Sequence, residues 1–307
     1  MKMSLVLPVY NEADGLREFF DELVSAVEPL GFDVEAILVN DGSTDDSLAE
    51  MRRIKDEFGS RIDVSILDLT RNFGHQATVT AGIEHSTGEV ILIMDTDLQD
   101  DPGVIPEMVE KWRSGAEVVY ASRTSRREPL LVRFLFSTYY RVFSSITPIK
   151  IPHAAGNFGL IDRRVAEEIR RLPEHNRYYP GLRAWVGFRQ DGVDAPRRRR
   201  PGGRSRVGLV GLSELALDAF FGFSALPLRL AFGGALLLAL AGVIGIAVIF
   251  YIKFFTDLAV TMWSSIMTII LFTASAQFFL IGLLGEYIAR IYTEVKSRPH
   301  YIIRDRF

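Results

Sequence analysis

Four carboxylates crowd the stretch Met94-Asp-Thr-Asp-Leu-Gln-Asp-Asp101, directly after the apolar run Val90-Ile-Leu-Ile-Met94. Like charges held that close at the end of a buried strand repel one another unless a cation joins them. An Asp-x-Asp pair is a natural seat for Mg²⁺ or Mn²⁺, which take carboxylate oxygens and fill their other positions with water and phosphate oxygens. Asp95, Asp97 and Gln99 are therefore the candidate metal ligands. The bare pattern also fits a solvated turn whose aspartate caps a helix starting at Pro102. Context favours the metal: two further polar clusters, Tyr10-Asn11-Glu12 and Asn40-Asp41-Gly42-Ser43, also close apolar runs.

A second concentration of charge runs from Arg197 to Arg206, with six arginines and no acid. Guanidinium forks grip phosphate bidentately, which favours Arg200 and Arg206 as phosphate ligands. The same cations suit anionic lipid headgroups, the reading taken for the remaining arginines. Nucleic acid is excluded as a partner, since no aromatic platform interleaves the run and the net charge is only −3. The chain has no cysteine, so a metal here must use oxygen or imidazole ligands. His75, His85, His153, His175 and His300 lack metal-ligand spacing, and Ser43 lacks the pattern of a catalytic triad. The role of His75 stays open.

Elements must position these groups. With 307 residues, 48% of them hydrophobic, the chain can bury a sizeable core. Short β-rich runs at Ser4 to Val9, Glu35 to Val39, Val64 to Leu69, Val90 to Met94 and Val118 to Ala121 alternate with helical spacing at Leu16 to Val27 and Ser47 to Phe58. That alternation predicts an α/β domain with a mostly parallel sheet, whose ligands bind at the strands' carboxyl ends. The three polar clusters should therefore converge on one crevice. Leu130 to Ile146 and Leu212 to Leu226 fit equally an amphipathic helix on the sheet or one in the headgroup layer.

Residues 230–252 and 258–285 form runs of 23 and 28 residues without a charge, each above the roughly 20 needed to cross a bilayer. Two spans are expected. Arg229 before them and Arg290, Lys296 and Arg298 after them place both outer ends on the cytoplasmic side. The apolar stretch at the N-terminus is too short for a signal-peptide core. Gly233, Gly234, Gly242 and Gly245 would permit close helix approach in a homo-oligomer.

In order and spacing, Pro8-Val-Tyr-Asn-Glu12, Asn40-Asp-Gly-Ser-Thr-Asp45, Arg71-Asn-Phe-Gly74, Asp95-Thr-Asp-Leu-Gln-Asp100 and Gly181-Leu-Arg-Ala-Trp-Val-Gly-Phe188 resemble the family 2 glycosyltransferases of GT-A fold. The nearest likeness is to the polyprenyl-phosphate branch, with its bactoprenol glucosyltransferases and dolichol-phosphate mannose synthases. The resemblance implies a cytoplasmic GT-A domain over 1–211, a juxtamembrane amphipathic helix over 212–229, a transmembrane hairpin over 230–290 and a cytoplasmic tail over 291–307, in the inner (plasma) membrane. It implies a nucleotide pocket of Pro8, Tyr10, Asn11, Glu12, Asp41, Ser43, Asp95 and Thr96, and a metal on Asp95, Asp97 and Gln99. It further implies catalytic roles for Asp97, Asn157 and Arg123, and an acceptor-phosphate site of Arg200, Ser205 and Arg206. The activity implied is inverting transfer of a sugar, UDP-glucose being the expected donor, to polyprenyl (undecaprenyl) phosphate at the bilayer. Two motifs depart from the family pattern: Gly156-Asn-Phe-Gly159 stands where Gly-Asp-Phe-Arg is common, and Asn40 replaces the first Asp of Asp-Asp-Gly-Ser. They leave open a non-catalytic, membrane-anchored nucleotide-sugar binder or assembly subunit. A processive polysaccharide synthase is disfavoured, because no Gln-x-x-Arg-Trp motif is present.

Overall fold

The β-branched and aliphatic runs of the first 122 residues become strands β1 (Lys2–Val9), β2 (Asp33–Asn40), β3 (Asp63–Leu69), β4 (Val90–Ile93) and β5 (Val118–Ser122). The computed structural model describes residues 1–122, 155–175, 177–196, 198, 226–255 and 263–307. Helices α1 (Leu16–Val27) and α2 (Ser47–Phe58) have the bounds their periodicity predicts. Also present are α3 (His75–His85), α4 (Ile105–Arg113), β6 (Ala155–Asp162), α5 (Arg163–Arg171), α6 (Tyr179–Trp185), β7 (Gln190–Asp194), α7 (Leu226–Phe255), α8 (Trp263–Lys296) and β8 (Ile303–Arg306). The expected helix over 130–146, and 212–225 of the second, lie outside the described residues.

The strands form one sheet in the order β7-β5-β6-β4-β1-β2-β3-β8. Pairs β1–β2, β2–β3 and β1–β4 are parallel, whereas β6 runs antiparallel to β4 and β5, and β8 antiparallel to β3. The chain winds outward from β1 to β3 and then returns to lay β4 on the other side of β1. The reversal in strand order opens a crevice at the carboxyl ends of β1 and β4.

Both faces of the central strands are covered, which explains their near-continuous apolar runs. On one face Leu5, Leu7 and Val9 pack with Phe19, Phe20 and Leu23 of α1 and with Ile105 and Met108 of α4. On the other, Val6, Ile91 and Ile93 meet Val79 and Ile83 of α3 and Val165 and Ile169 of α5. Helix α3 lies flat on β1: a Cβ on Gly82 would come within 2.2 Å of Val6 Cγ1. This close seat carries His75, at the start of α3, to the crevice.

The chain divides into two units, Met1–Arg206 with Arg298–Phe307, and Val207–Ser297. Residues 298–307, within the segment expected as a cytoplasmic tail over 291–307, group with the first unit. Helix α8 continues to Lys296, and β8 completes an edge of the eight-stranded sheet, with Ile66 N–H donating to Phe307 O at 2.9 Å and Thr70 N–H to Ile302 O at 2.9 Å. The backbone amides of β3 have the physical need: an uncovered parallel-sheet edge leaves a row of them unpaired. In the second unit, one helix among the described residues is long and apolar enough to cross a membrane, over Phe272–Lys296; the apolar stretch Ala231–Gly245 of α7 is shorter.

Candidate active site

The polar ends of β1 and β2 are stitched together. Asn11 N–H donates to Ser43 Oγ at 3.1 Å, Thr44 N–H returns a bond to Asn11 Oδ1 at 2.8 Å, and Glu12 N–H donates to Ser47 Oγ at 2.9 Å. Asn11 adopts φ 54°, a left-handed conformation that asparagine tolerates better than most residues. Asp45 accepts from the Ser47 amide and hydroxyl and from Ala13 N–H. Burial raises its pKa, but those donors together hold the carboxyl below its ordinary value. Gly42, at φ 62°, has no room for a side chain, since a Cβ would stand 2.5 Å from the Arg71 carbonyl carbon.

Asp41 is 3% exposed, and its two oxygens accept from Phe73 N–H at 2.8 Å and Gly74 N–H at 3.1 Å. Burial is the larger influence and lifts its pKa against these donors. Asp41 therefore holds the loop before α3. Asn40, the departure noted above, has a reason of its own. Its Nδ2 donates to the buried Asp68 Oδ1 at 2.7 Å, and its Oδ1 accepts from Ser43 N–H at 3.1 Å. The neighbours fix the amide's orientation, because a backbone N–H must face the oxygen and a carboxylate the NH₂. An aspartate at 40 would set two carboxylates against each other in a buried position.

The acid loop joins the same crevice: Thr96 Oγ1 donates to Pro8 O at 2.9 Å, tying the end of β4 to the end of β1. The three clusters do converge. Asp97 Oδ1 accepts from Gln99 N–H at 3.2 Å, and Leu98 between them has φ 59°, so the loop is held in an uncommon backbone conformation. Asp101 caps the turn at Pro102 by accepting from Gly103 N–H, and it pairs with Arg198 at 2.9 Å. Arg198 also pairs with Glu22 at 2.6 Å, and its N–H donates to Gln99 O. At this one arginine the lipid-contact expectation is corrected: Arg198 braces the acid loop.

Asp95 Oδ1 is buried and has no hydrogen-bond partner. His75 Nε2 stands 3.3 Å away without the alignment of a hydrogen bond, and 2.6 Å from Asn157 Nδ2. Three elements thus deliver His75, Asp95 and Asn157 to one point. Sequence spacing could not reveal it, since the three lie on α3, after β4 and on β6. An orphaned carboxylate oxygen, two and four residues before Asp97 and Gln99 in the chain, suits a hard divalent cation. Among the described residues no group of three or more His, Cys, Asp or Glu side chains is gathered to hold an ion. Such an ion would have to complete its shell with water or ligand oxygens.

Arg183 is wholly buried between the rings of Tyr120 and Tyr179, its Cζ 5.5 Å from each centroid. A Cβ on Gly159 would lie 2.9 Å from Arg183 Nη1. Arginine from α6 therefore fills the space that a side chain at 159 would take. Burial pushes the Tyr179 phenol up to about 12. Arg123, Arg200, Ser205 and Arg206 lie outside the described residues.

Residues 4–170 match the family model described as glycosyl transferase family 2, and residues 226–291 match the GtrB C-terminal hairpin. The chain belongs to glycosyl transferase family 2. It is a glycosyltransferase by that membership, and its relatives agree over nearly all of their length. The chain is 39% identical to the uncharacterized glycosyltransferase YkcC of Bacillus subtilis (strain 168), covering 100% of this chain and 94% of the relative. It is 36% identical to the bactoprenol glucosyl transferase of Shigella phage SfX, covering 100% of both. It is also 36% identical to the prophage bactoprenol glucosyl transferase homolog of Escherichia coli (strain K12), covering 99% of both.

Proposed function

We propose that this glycosyltransferase moves a sugar, with inversion, from a nucleotide diphosphate donor to the phosphate of a membrane polyprenol. UDP-glucose and undecaprenyl phosphate are the substrates we favour. The observation that carries the reading is the junction of three strand ends in one crevice, through Thr96 to Pro8 and Asn11 to Ser43, with the orphaned Asp95 oxygen facing in. Full-length similarity to proteins named for bactoprenol glucosyl transfer supports the acceptor class.

Pro8, Tyr10, Asn11, Glu12, Asp41, Ser43 and Thr96 form the walls that receive the nucleoside, Tyr10 being exposed at the rim. Asp95, Asp97 and Gln99 would hold Mg²⁺ or Mn²⁺, which when bound supplies Lewis acidity to the leaving diphosphate. His75 and Asn157 face the same point from the other side and orient the acceptor against the sugar. No strong base is required of Asn157, because a phosphate monoester, with its second pKa near 6, is largely ionised at neutral pH. Arg123, Arg200, Ser205 and Arg206 supply the hydrogen bonds and charge that steady the phosphates. Helices α7 and α8 form a hairpin crossing the bilayer twice, with the catalytic unit on the cytoplasmic side. Anchoring raises the effective concentration of a lipid acceptor.

The test is direct. Purified protein incubated with radiolabelled UDP-glucose, Mn²⁺ and undecaprenyl phosphate should place label in the organic extract, and EDTA should prevent it. Label remaining aqueous across UDP-, GDP- and dTDP-sugars would replace this reading with a nucleotide-sugar binder.

A further inference from the structure

The strand that follows the hairpin does more than close a sheet edge. Arg304, on β8, directs Nη1 toward Asp68 Oδ2 at 3.6 Å and donates from Nη2 to Thr70 O at 2.7 Å. Asp68 is 2% exposed, and its other oxygen takes the Asn40 amide at 2.7 Å. Asn40 in turn accepts from Ser43 N–H, and Ser43 Oγ accepts from Asn11 N–H. A continuous line of four contacts therefore runs from β8 to the two loops of the nucleotide pocket. Each link constrains the next: Asp68 can hold the Asn40 NH₂ only while its own charge is balanced, since an unpaired buried carboxylate is costly. With Asn40 free to turn, Ser43 N–H loses its acceptor and the Asn11–Ser43 bond its geometry.

We infer that Arg304 is a positioning residue for donor binding, so that nucleotide affinity depends on β8 being docked. Docking has its own fastenings away from this line. Tyr301 Oη donates to Glu84 at 2.5 Å, and Phe307 lies under the Arg52 guanidinium at 4.1 Å. The inference rests on the assignment of residues 10–12 and 40–45 to the nucleotide.

The experiment uses the full chain in detergent. Arg304→Gln should raise the donor KM about fivefold, the upper scale of a part-exposed ion pair, with kcat and acceptor KM within twofold of wild type. Arg304→Lys should restore most of the loss. In Asp68→Asn/Arg304→Gln, where no buried charge is left to balance, donor KM should return to within about threefold. Arg52→Ala removes one fastening while the β3 ladder and Tyr301–Glu84 keep β8 docked, so it should lower Tm and leave donor KM unchanged. An unchanged donor KM in Arg304→Gln, or equal losses for donor and acceptor, overturns the inference while leaving the assigned reaction intact. Should wild type transfer no sugar, the reaction is what fails. Amide exchange at residues 41–47 then still decides: faster exchange in Arg304→Gln supports the positioning role, and unchanged exchange removes it.

Discussion

The two ends of the central sheet handle buried polar groups in opposite ways. At the amino end, Glu35 is 6% exposed and fully engaged: Lys2 Nζ at 2.6 Å, Thr87 N–H at 2.6 Å, Thr87 Oγ1 at 2.7 Å and Ser4 Oγ all reach its carboxylate. At the carboxyl end, Asp95 Oδ1 is buried without a hydrogen bond, and Asn11 and Leu98 hold left-handed backbone conformations. A saturated polar cluster fixes strands; an unsaturated one keeps valences for a ligand. The same side-chain types serve stability at one end and chemistry at the other, and the difference lies in whether their partners are already present.

The contrast breaks most visibly at the acid loop. Asp97→Ala should lower transfer roughly 1,000-fold, as expected when the charge opposite a leaving group is lost, while Tm changes by no more than a degree or two; assays across a Mn²⁺ titration and calorimetry check both. Glu35→Ala inverts the pattern. It should cost about 3 kcal/mol of stability, because Ser4, Thr87 and Lys2 all lose their acceptor, with kcat unchanged at temperatures where the variant is folded. His75→Ala should reduce kcat about tenfold, the usual scale for a group that orients others. Asn157→Asp, which keeps an acceptor beside His75, should retain or raise activity.

The smallest effect is one of pH. Burial raises the pKa of Glu35, but the bonds from Lys2, Ser4 and Thr87 outweigh it and leave the carboxyl below its ordinary 4.5. A lowered folded-state pKa means stability that is fully present above the unfolded value and is lost as pH falls through the folded one. Denaturant midpoints should therefore decline below about pH 4.5, and the decline should be shallower in Glu35→Gln.

The strands around β1 were legible because each is a continuous aliphatic run closed by polar residues, the signature of a sheet covered on both faces. Convergence of Asn11, Ser43 and Thr96 followed from the parallel topology alone. Helix α3 was not legible: Thr78 to Ile83 are all buried, so no polar face marks a helical period. Strands β7 and β8 are short and polar, as edge strands are, and resemble loops in sequence. His75 stayed undecided because its meaning depends on Asn157, 82 positions away. Asn40 read as a defect in a motif, and became intelligible only beside Asp68, which no local pattern associates with it.

Strand β8 has a consequence for biogenesis. Its partner β3 is made early, yet pairing must wait until α7 and α8 have been synthesised, since they lie between the two in the chain. Through that interval the β3 edge stays open, a surface that invites pairing with other chains. Slowed synthesis of α7 and α8 should accumulate aggregated rather than soluble first unit.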